Sequence, residues 1–272
     1  MAIILNPINP VAFSIFGLPI RWYALAYIAG FIIGYYLFRY LTKNKKDTIY
    51  LSKKQLDDLL TFIVLGVILG GRLGYVLFYN LPFFIENPLE IFAIWHGGMS
   101  FHGGLLGVII ATFLFAHKNT FADKSLVRNS FRILDVLSVV VPVGLCFGRI
   151  ANFINMEVMG RITESQFGVV FVGGPEYPRH PSPLYEATLE GLVLFIIMWF
   201  LYTKTKLPEH PGTISGLLCI FYAIFRIFCE QFRQPDAQIG FLTSWGLTMG
   251  QMLSGIMLIV GIVIFTCAMR KK

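Results

Sequence analysis

Residues able to do chemistry recur at fixed spacings in this chain. Arg149 and Asn152 lie three apart in the run Gly148-Arg149-Ile150-Ala151-Asn152-Phe153-Ile154-Asn155-Met156-Glu157-Val158-Met159-Gly160, so on a helix they share one face. A guanidinium is a rigid donor fork that matches phosphate, and an amide adds a neutral donor and acceptor. The bland alternative for Arg149 is snorkelling to a membrane interface. Steps of four, four and three put Tyr222, Arg226, Glu230 and Arg233 on one stripe, which should face protein. Its bland alternative is a structural Arg226/Glu230 ion pair. Trp95-His96-Gly97-Gly98-Met99-Ser100-Phe101-His102-Gly103-Gly104 places an imidazole that titrates near neutral pH beside glycines. Those glycines suit either close approach to an anion at a helix start or close helix packing. The pattern does not rank His102 above His96. Tyr23 and Trp22 start an apolar stretch as belt aromatics would. Glu186, Glu190 and Gln251 either brace these bases or make helix contacts.

The elements that must position these groups are membrane spans. The chain is 56% hydrophobic and 14% charged, with mean hydropathy +0.69. Spans of about 20 apolar residues fall near 20–41, 57–79, 97–117, 133–153, 184–203, 213–232 and 243–269. This predicts an all-α membrane protein with seven transmembrane helices, residues 1–272 forming a single polytopic domain. Arg39, Lys43, Lys45, Lys46, Lys53, Lys54, Lys118, Lys124, Arg128, Arg132, Lys204, Lys206, Arg270, Lys271 and Lys272 would all share one side. By the positive-inside rule that side is cytoplasmic, with the N-terminus outside and the C-terminus inside. Arg72, His102, Arg149, Arg226 and Glu230 then stand near outer helix ends. An ionisable group in a span is a functional candidate by default, and five on one face suit an anionic lipid or peptide at the outer leaflet.

The net charge of +7 is largely this inside signal and calls for no nucleic-acid partner. The first basic residue is Arg21, and Pro7, Pro10 and Pro19 interrupt any early span, so residues 1–18 are expected along the outer interface and not as a cleaved signal peptide. Residues 155–183, rich in Gly and Pro around Val169–Val172, predict an extracytoplasmic head of turns with one short strand. Cys146, Cys219, Cys229 and Cys267 form no C-x-x-C pair and read as structural thiols. No H-E-x-x-H or Cys/His cluster implies a metal, and no cofactor is expected.

Residues 148–160 resemble the signature G-R-x-x-N-F-x-N-x-E-x-x-G of the bacterial prolipoprotein diacylglyceryl transferases. Arg21-Trp22-Tyr23, Gly71 to Tyr75, Gly97 to Gly104, Arg179 to Glu186 and Phe225 to Asp236 are similar to further family segments. Ala151 and Met156 stand where the family commonly has Gly, and Met159 where it commonly has an aromatic. The resemblance implies a seven-helix enzyme of the bacterial inner (cytoplasmic) membrane. It would move diacylglycerol from phosphatidylglycerol to the lipobox cysteine of a prolipoprotein signal peptide, releasing glycerol phosphate. By motif, His102, Arg149 and Arg226 take catalytic positions, and Tyr23, Asn152, Glu157, Tyr222, Glu230 and Arg233 binding or supporting ones. Arg149 would also bind substrate, and the family pattern favours His102 over His96.

Other classes fit less well. A retinal protein would need a Lys in its last span, and Leu247 to Met269 has none. A serine intramembrane protease would want G-x-S-G, yet Phe101 follows Ser100. A transporter gated by Arg226 and Glu230 is the rival of a different class, although its site should lie near mid-bilayer.

Overall fold

The computed structural model describes residues 2–44, 49–119, 121, 123–174, 176–235, 240–244 and 246–270. Lys45, Lys46, Pro175, Asp236, Lys271 and Lys272, which enter the expectations above, lie outside that set, as do the side chains of Phe101 and His96. The chain divides into two compact units, Met1–Phe38 with Asp135–Lys272, and Arg39–Leu134.

In chain order the elements are β1 (Ile3–Leu5), β2 (Val11–Ile15), β3 (Leu18–Arg21), α1 (Trp22–Asn44), α2 (Lys53–Phe78), α3 (Leu81–Glu86), α4 (Phe101–Lys118) and α5 (Leu126–Ile154). Then come β4 (Val169–Phe171), α6 (Ser182–Glu186), a π-helical stretch Ala187–Val193, α7 (Leu194–Lys204), α8 (Thr213–Cys229) and α9 (Met249–Arg270). Among the described residues five helices are long and apolar enough to cross a membrane: Trp22–Lys43, Lys53–Phe78, Leu126–Ile154, Ser182–Lys204 and Met249–Arg270. His102–Lys118 and Thr213–Cys229 are apolar but shorter. Each expected span thus has its helix, two of them below spanning length.

The smaller unit is organised by glycine. α2 carries Gly66, Gly70 and Gly74 and α4 carries Gly103 and Gly107, each four apart, and the two backbones interlock there. Without side chains at the crossing the helices approach closely enough for van der Waals packing to hold them in lipid. A Cβ on Gly107 would strike the Gly66 carbonyl and lie 3.1 Å from Gly70 Cα, whereas one on Gly104 would only touch the Val67 carbonyl at 3.7 Å. Gly107→Ala should therefore cost about 1–3 kcal/mol, as overpacking does, and lower the thermal midpoint in detergent. Gly104→Ala should not, and equal midpoints for the two would refute the crossing. Ser52 and Gln55 form a reciprocal capping box on α2, and the Ser100 hydroxyl accepts from the Gly103 amide to cap α4.

In the larger unit β2 and β3 form an antiparallel hairpin and β1 pairs in parallel with β4. Among the described residues the fold is thus mainly helical with four short strands, and the strand expected at Val169–Val172 is β4. At the hairpin tip Phe16 and Gly17 have φ 49° and 81°, the left-handed pair that two-residue hairpins require. α8 and α9 meet at small residues: a Cβ on Gly216 would lie 2.9 Å from the Gly261 carbonyl. Asp135 on α5 caps α8 from outside, its carboxylate accepting from the amides of Gly212 and Ser215, each at 2.8 Å, and from the Ser215 hydroxyl at 2.6 Å. A carboxylate at a helix N-terminus satisfies orphan donors and complements the dipole, so α5 fixes the start of the helix that carries Arg226.

Candidate active site

The C-terminal turns of α5 and α8 and the start of the α6/π segment bring one ionic cluster together inside the larger unit. Glu186 Oε2 lies 2.8 Å from Arg149 Nε and 3.0 Å from Arg226 Nη1. Glu190 lies 3.6 Å from Arg149 Nη2 and 3.4 Å from Arg226 Nη1. Arg226 Nη2 pairs with Glu230 Oε1 at 2.5 Å, and Arg233 Nη1 reaches the same oxygen at 3.2 Å. Glu186 and Glu190 are 0% exposed and Glu230 2%. Buried charges persist only when paired and hydrogen-bonded, and here three arginines meet three glutamates.

Local sequence explains the assembly. Gly191 lets the π segment touch α5 one turn before Arg149: a Cβ there would lie 2.6 Å from Cys146 Cβ and 2.7 Å from its Cα. Tyr222 and Arg226 are buried on one face of α8, as the spacing predicted. Glu230 is braced from α9, where Thr248 and Gln251 form a capping box and the Thr248 hydroxyl donates to Glu230 Oε2 at 3.1 Å. Gly250 leaves room for that carboxylate. Arg161 Nε donates to the Arg233 carbonyl at 2.9 Å and the Arg161 amide to the Phe232 carbonyl at 2.8 Å. The segment after Gly160 therefore straps the end of α8. Beside it His180 Nδ1 lies 3.3 Å from the Tyr185 hydroxyl, and burial holds the imidazole below its ordinary pKa.

The other expected residues are placed as follows. Asn152 Nδ2 donates to Glu157 Oε2 at 3.1 Å and Asn155 Nδ2 to Glu157 Oε1 at 3.4 Å, so the acidic residue of the signature is held by amides. Met156 and Val158 sit at φ 56° and 57°, a conformation costing about 1–2 kcal/mol without glycine. Tyr23 stacks edge-on with Tyr27, their hydroxyls 3.3 Å apart, and Tyr27 is near enough to Arg149 to feel its charge. His102 belongs to the other unit, exposed in the first turn of α4.

Four readings change. Arg149 does not snorkel but turns inward to Glu186 and Glu190. Arg226 and Glu230 are two members of a six-residue cluster, not an isolated pair. The α4 glycines Gly103 and Gly107 serve helix packing against α2. Arg72 is no anion ligand: its guanidinium donates to the carbonyls of Glu90, Ile91, Ala93, Gly97 and Gly98 and lies over the Phe84 ring, clamping that loop. Thr248 was missed, although T-x-x-Q before an apolar run marks a capping box.

Residues 10–267 match the family model described as prolipoprotein diacylglyceryl transferase. The chain belongs to this family. Among its relatives, the phosphatidylglycerol–prolipoprotein diacylglyceryl transferase of Rhodospirillum rubrum is 51% identical over 266 residues, covering 97% of this chain and 94% of the relative. Those of Rickettsia felis and Rhizobium meliloti are each 48% identical, over 93% and 94% of this chain and 94% and 90% of theirs. The matched span includes every member of the cluster, so the ionic site is part of the shared transferase domain and not an appendage to it.

Proposed function

We propose that this chain transfers the diacylglyceryl group of phosphatidylglycerol to the lipobox cysteine thiol of prolipoproteins, forming a thioether and releasing glycerol phosphate. The observation that carries the reading is the buried cluster in which Arg149 and Arg226 share Glu186, within a chain of this family. The substrate thiol attacks the glycerol carbon, the C–S bond forms, and the C–O bond to phosphate breaks. Arg149 and Arg226 stabilise charge gathering on the departing phosphate, the role in which preorganised donors contribute most. His102, by the family pattern, takes the thiol proton, because the thiolate is the nucleophile. Asn152, Glu157, Tyr23, Tyr222, Glu230 and Arg233 bind or support. The glutamates that balance the arginines also hold them in place before the lipid arrives.

The proposed topology has seven spans in the bacterial inner (cytoplasmic) membrane, with the N-terminus and a head at residues 155–183 outside. The one-sided basic loops support it, and the two shorter helices, about 25 Å each at 1.5 Å per residue, suit a locally thinned bilayer. One experiment tests chemistry and orientation together. A lipobox peptide is given to sealed right-side-out spheroplasts, to sealed inverted vesicles and to the detergent-solubilised protein with phosphatidylglycerol. Mass spectrometry should find diacylglyceryl on the peptide cysteine in the first and third samples only. No product in detergent would sink the activity, and product from sealed inverted vesicles alone would sink the orientation.

A further inference from the structure

The ionic cluster is electrically balanced as it stands. Arg149, Arg226 and Arg233 carry three positive charges and Glu186, Glu190 and Glu230 three negative ones. The glutamates are not equally held. Both Glu230 oxygens have directed donors, Oε1 from Arg226 and Arg233 and Oε2 from Thr248. Glu186 sits between Arg149 and Arg226 at ion-pair distance, yet neither of its buried oxygens accepts a hydrogen bond of proper direction. Proximity without direction gives Coulomb attraction and little of the added strength of a charge-assisted bond. Glu190 accepts one directed bond, at Oε1 from Arg226 at 3.4 Å, and none at its buried Oε2, so Glu186 is the acid with the fewest directed donors although its ion-pair contacts are the closer ones.

Resting on the transferase reading, we propose that a phosphodiester monoanion displaces Glu186 from Arg149 and Arg226, and that one proton enters the carboxylate cluster with it. Electroneutrality requires the proton. A lipid phosphate adds one negative charge to a balanced set shielded from water, and an unpaired charge in such a place is neutralised before it is tolerated. The charged and titratable groups around the displaced carboxylate are Arg149 on α5, Arg226, Tyr222, Cys229 and Glu230 on α8, Arg233 just beyond it, and Glu190 on its own helix, while the Arg161 guanidinium donates to the Glu230 and Arg233 carbonyls and has no carboxylate of the cluster as partner. Tyr27 on α1 faces Arg149, and Thr248 at the head of α9 faces Glu230. Among these only the three glutamates are carboxylates able to take up a proton, and both Glu230 oxygens have directed donors, so the incoming proton enters the remaining carboxylates of the cluster.

The charge count makes the test sharp. Either Glu186→Gln or Glu190→Gln leaves the cluster at +1, and a bound phosphodiester then restores balance with no proton. Binding of phosphatidylglycerol to the full-length protein in detergent is measured by titration calorimetry in buffers of different ionisation heat, from acid to alkaline pH. The wild type should take up about one proton per lipid, with affinity falling up to about tenfold per pH unit where uptake is complete. Each Gln variant should bind without proton uptake and with a flattened pH profile, and two variants guard against one failing to fold. Wild-type binding without proton uptake overturns the proposal, as does uptake undiminished in a folded Gln variant. Proton-coupled binding in a protein that never transfers diacylglycerol would leave this proposal standing and remove the transferase reading. Absence of any binding removes both.

Discussion

Arg226→Gln should lower diacylglyceryl transfer by about two to three decades, the cost of removing one preorganised donor from a developing anion, and should also weaken the fold. The structural loss is large because Arg226 serves three buried carboxylates at once, Glu186, Glu190 and Glu230. Removing one partner of a buried ion pair costs about 3–5 kcal/mol, since the remaining charge is left uncompensated. Adding Glu230→Gln returns the cluster to two arginines and two glutamates, so part of the stability should come back, short of wild type because the amide keeps only one of the two oxygens that accept from Arg233 and Thr248. Transfer should not come back with it. Thermal unfolding in detergent and turnover on the same preparations separate the two effects. A double variant that is stable and works at the wild-type rate would reduce Arg226 to a structural ion.

The parts legible in the sequence were those written in side-chain periodicity. Helices lie at the expected places to within a few residues, except that α5 starts at Leu126 and α9 at Met249. The Tyr222, Arg226, Glu230 stripe proved buried as its spacing required, because four-residue steps fix a helix face. Which helix meets that face is a different question. Nothing local to Glu186 and Glu190 says that both point at Arg149 and Arg226, so the sequence left open whether they brace those bases or make helix contacts, and the structure shows that they brace them. Arg72 was misread for a related reason: its partners are main-chain carbonyls 18 to 26 residues away, and every residue has a carbonyl. The β2–β3 hairpin left no mark either. Its strands are apolar on both faces, and its tip uses Phe16 at φ 49° where Asn or Gly would have announced the turn. The glycines at the start of α4 were open in sequence between ligand approach and helix contact, and the facing helix shows Gly103 in packing.

Arg149→Lys should separate the shape of this cation from its charge. In the structure Nε holds Glu186 at 2.8 Å while Nη2 faces Glu190 at 3.6 Å, so one planar group addresses two carboxylates at once. Its side chain is 20% exposed against 9% for Arg226, which makes it the more accessible of the pair to an arriving headgroup. A Lys ammonium keeps the positive charge and therefore the balance of the cluster, so unfolding temperature should change little. It is a point charge, however, and cannot bond two oxygens of a phosphate in one plane. Turnover should consequently fall by about two decades, with the larger part in kcat, because the fork matters most when phosphate charge is highest. The comparison needs kcat and KM for phosphatidylglycerol on folded protein of both forms. Near-normal kcat in the Lys variant would show that charge alone suffices at this position, and the phosphate would then have to be read by Arg226.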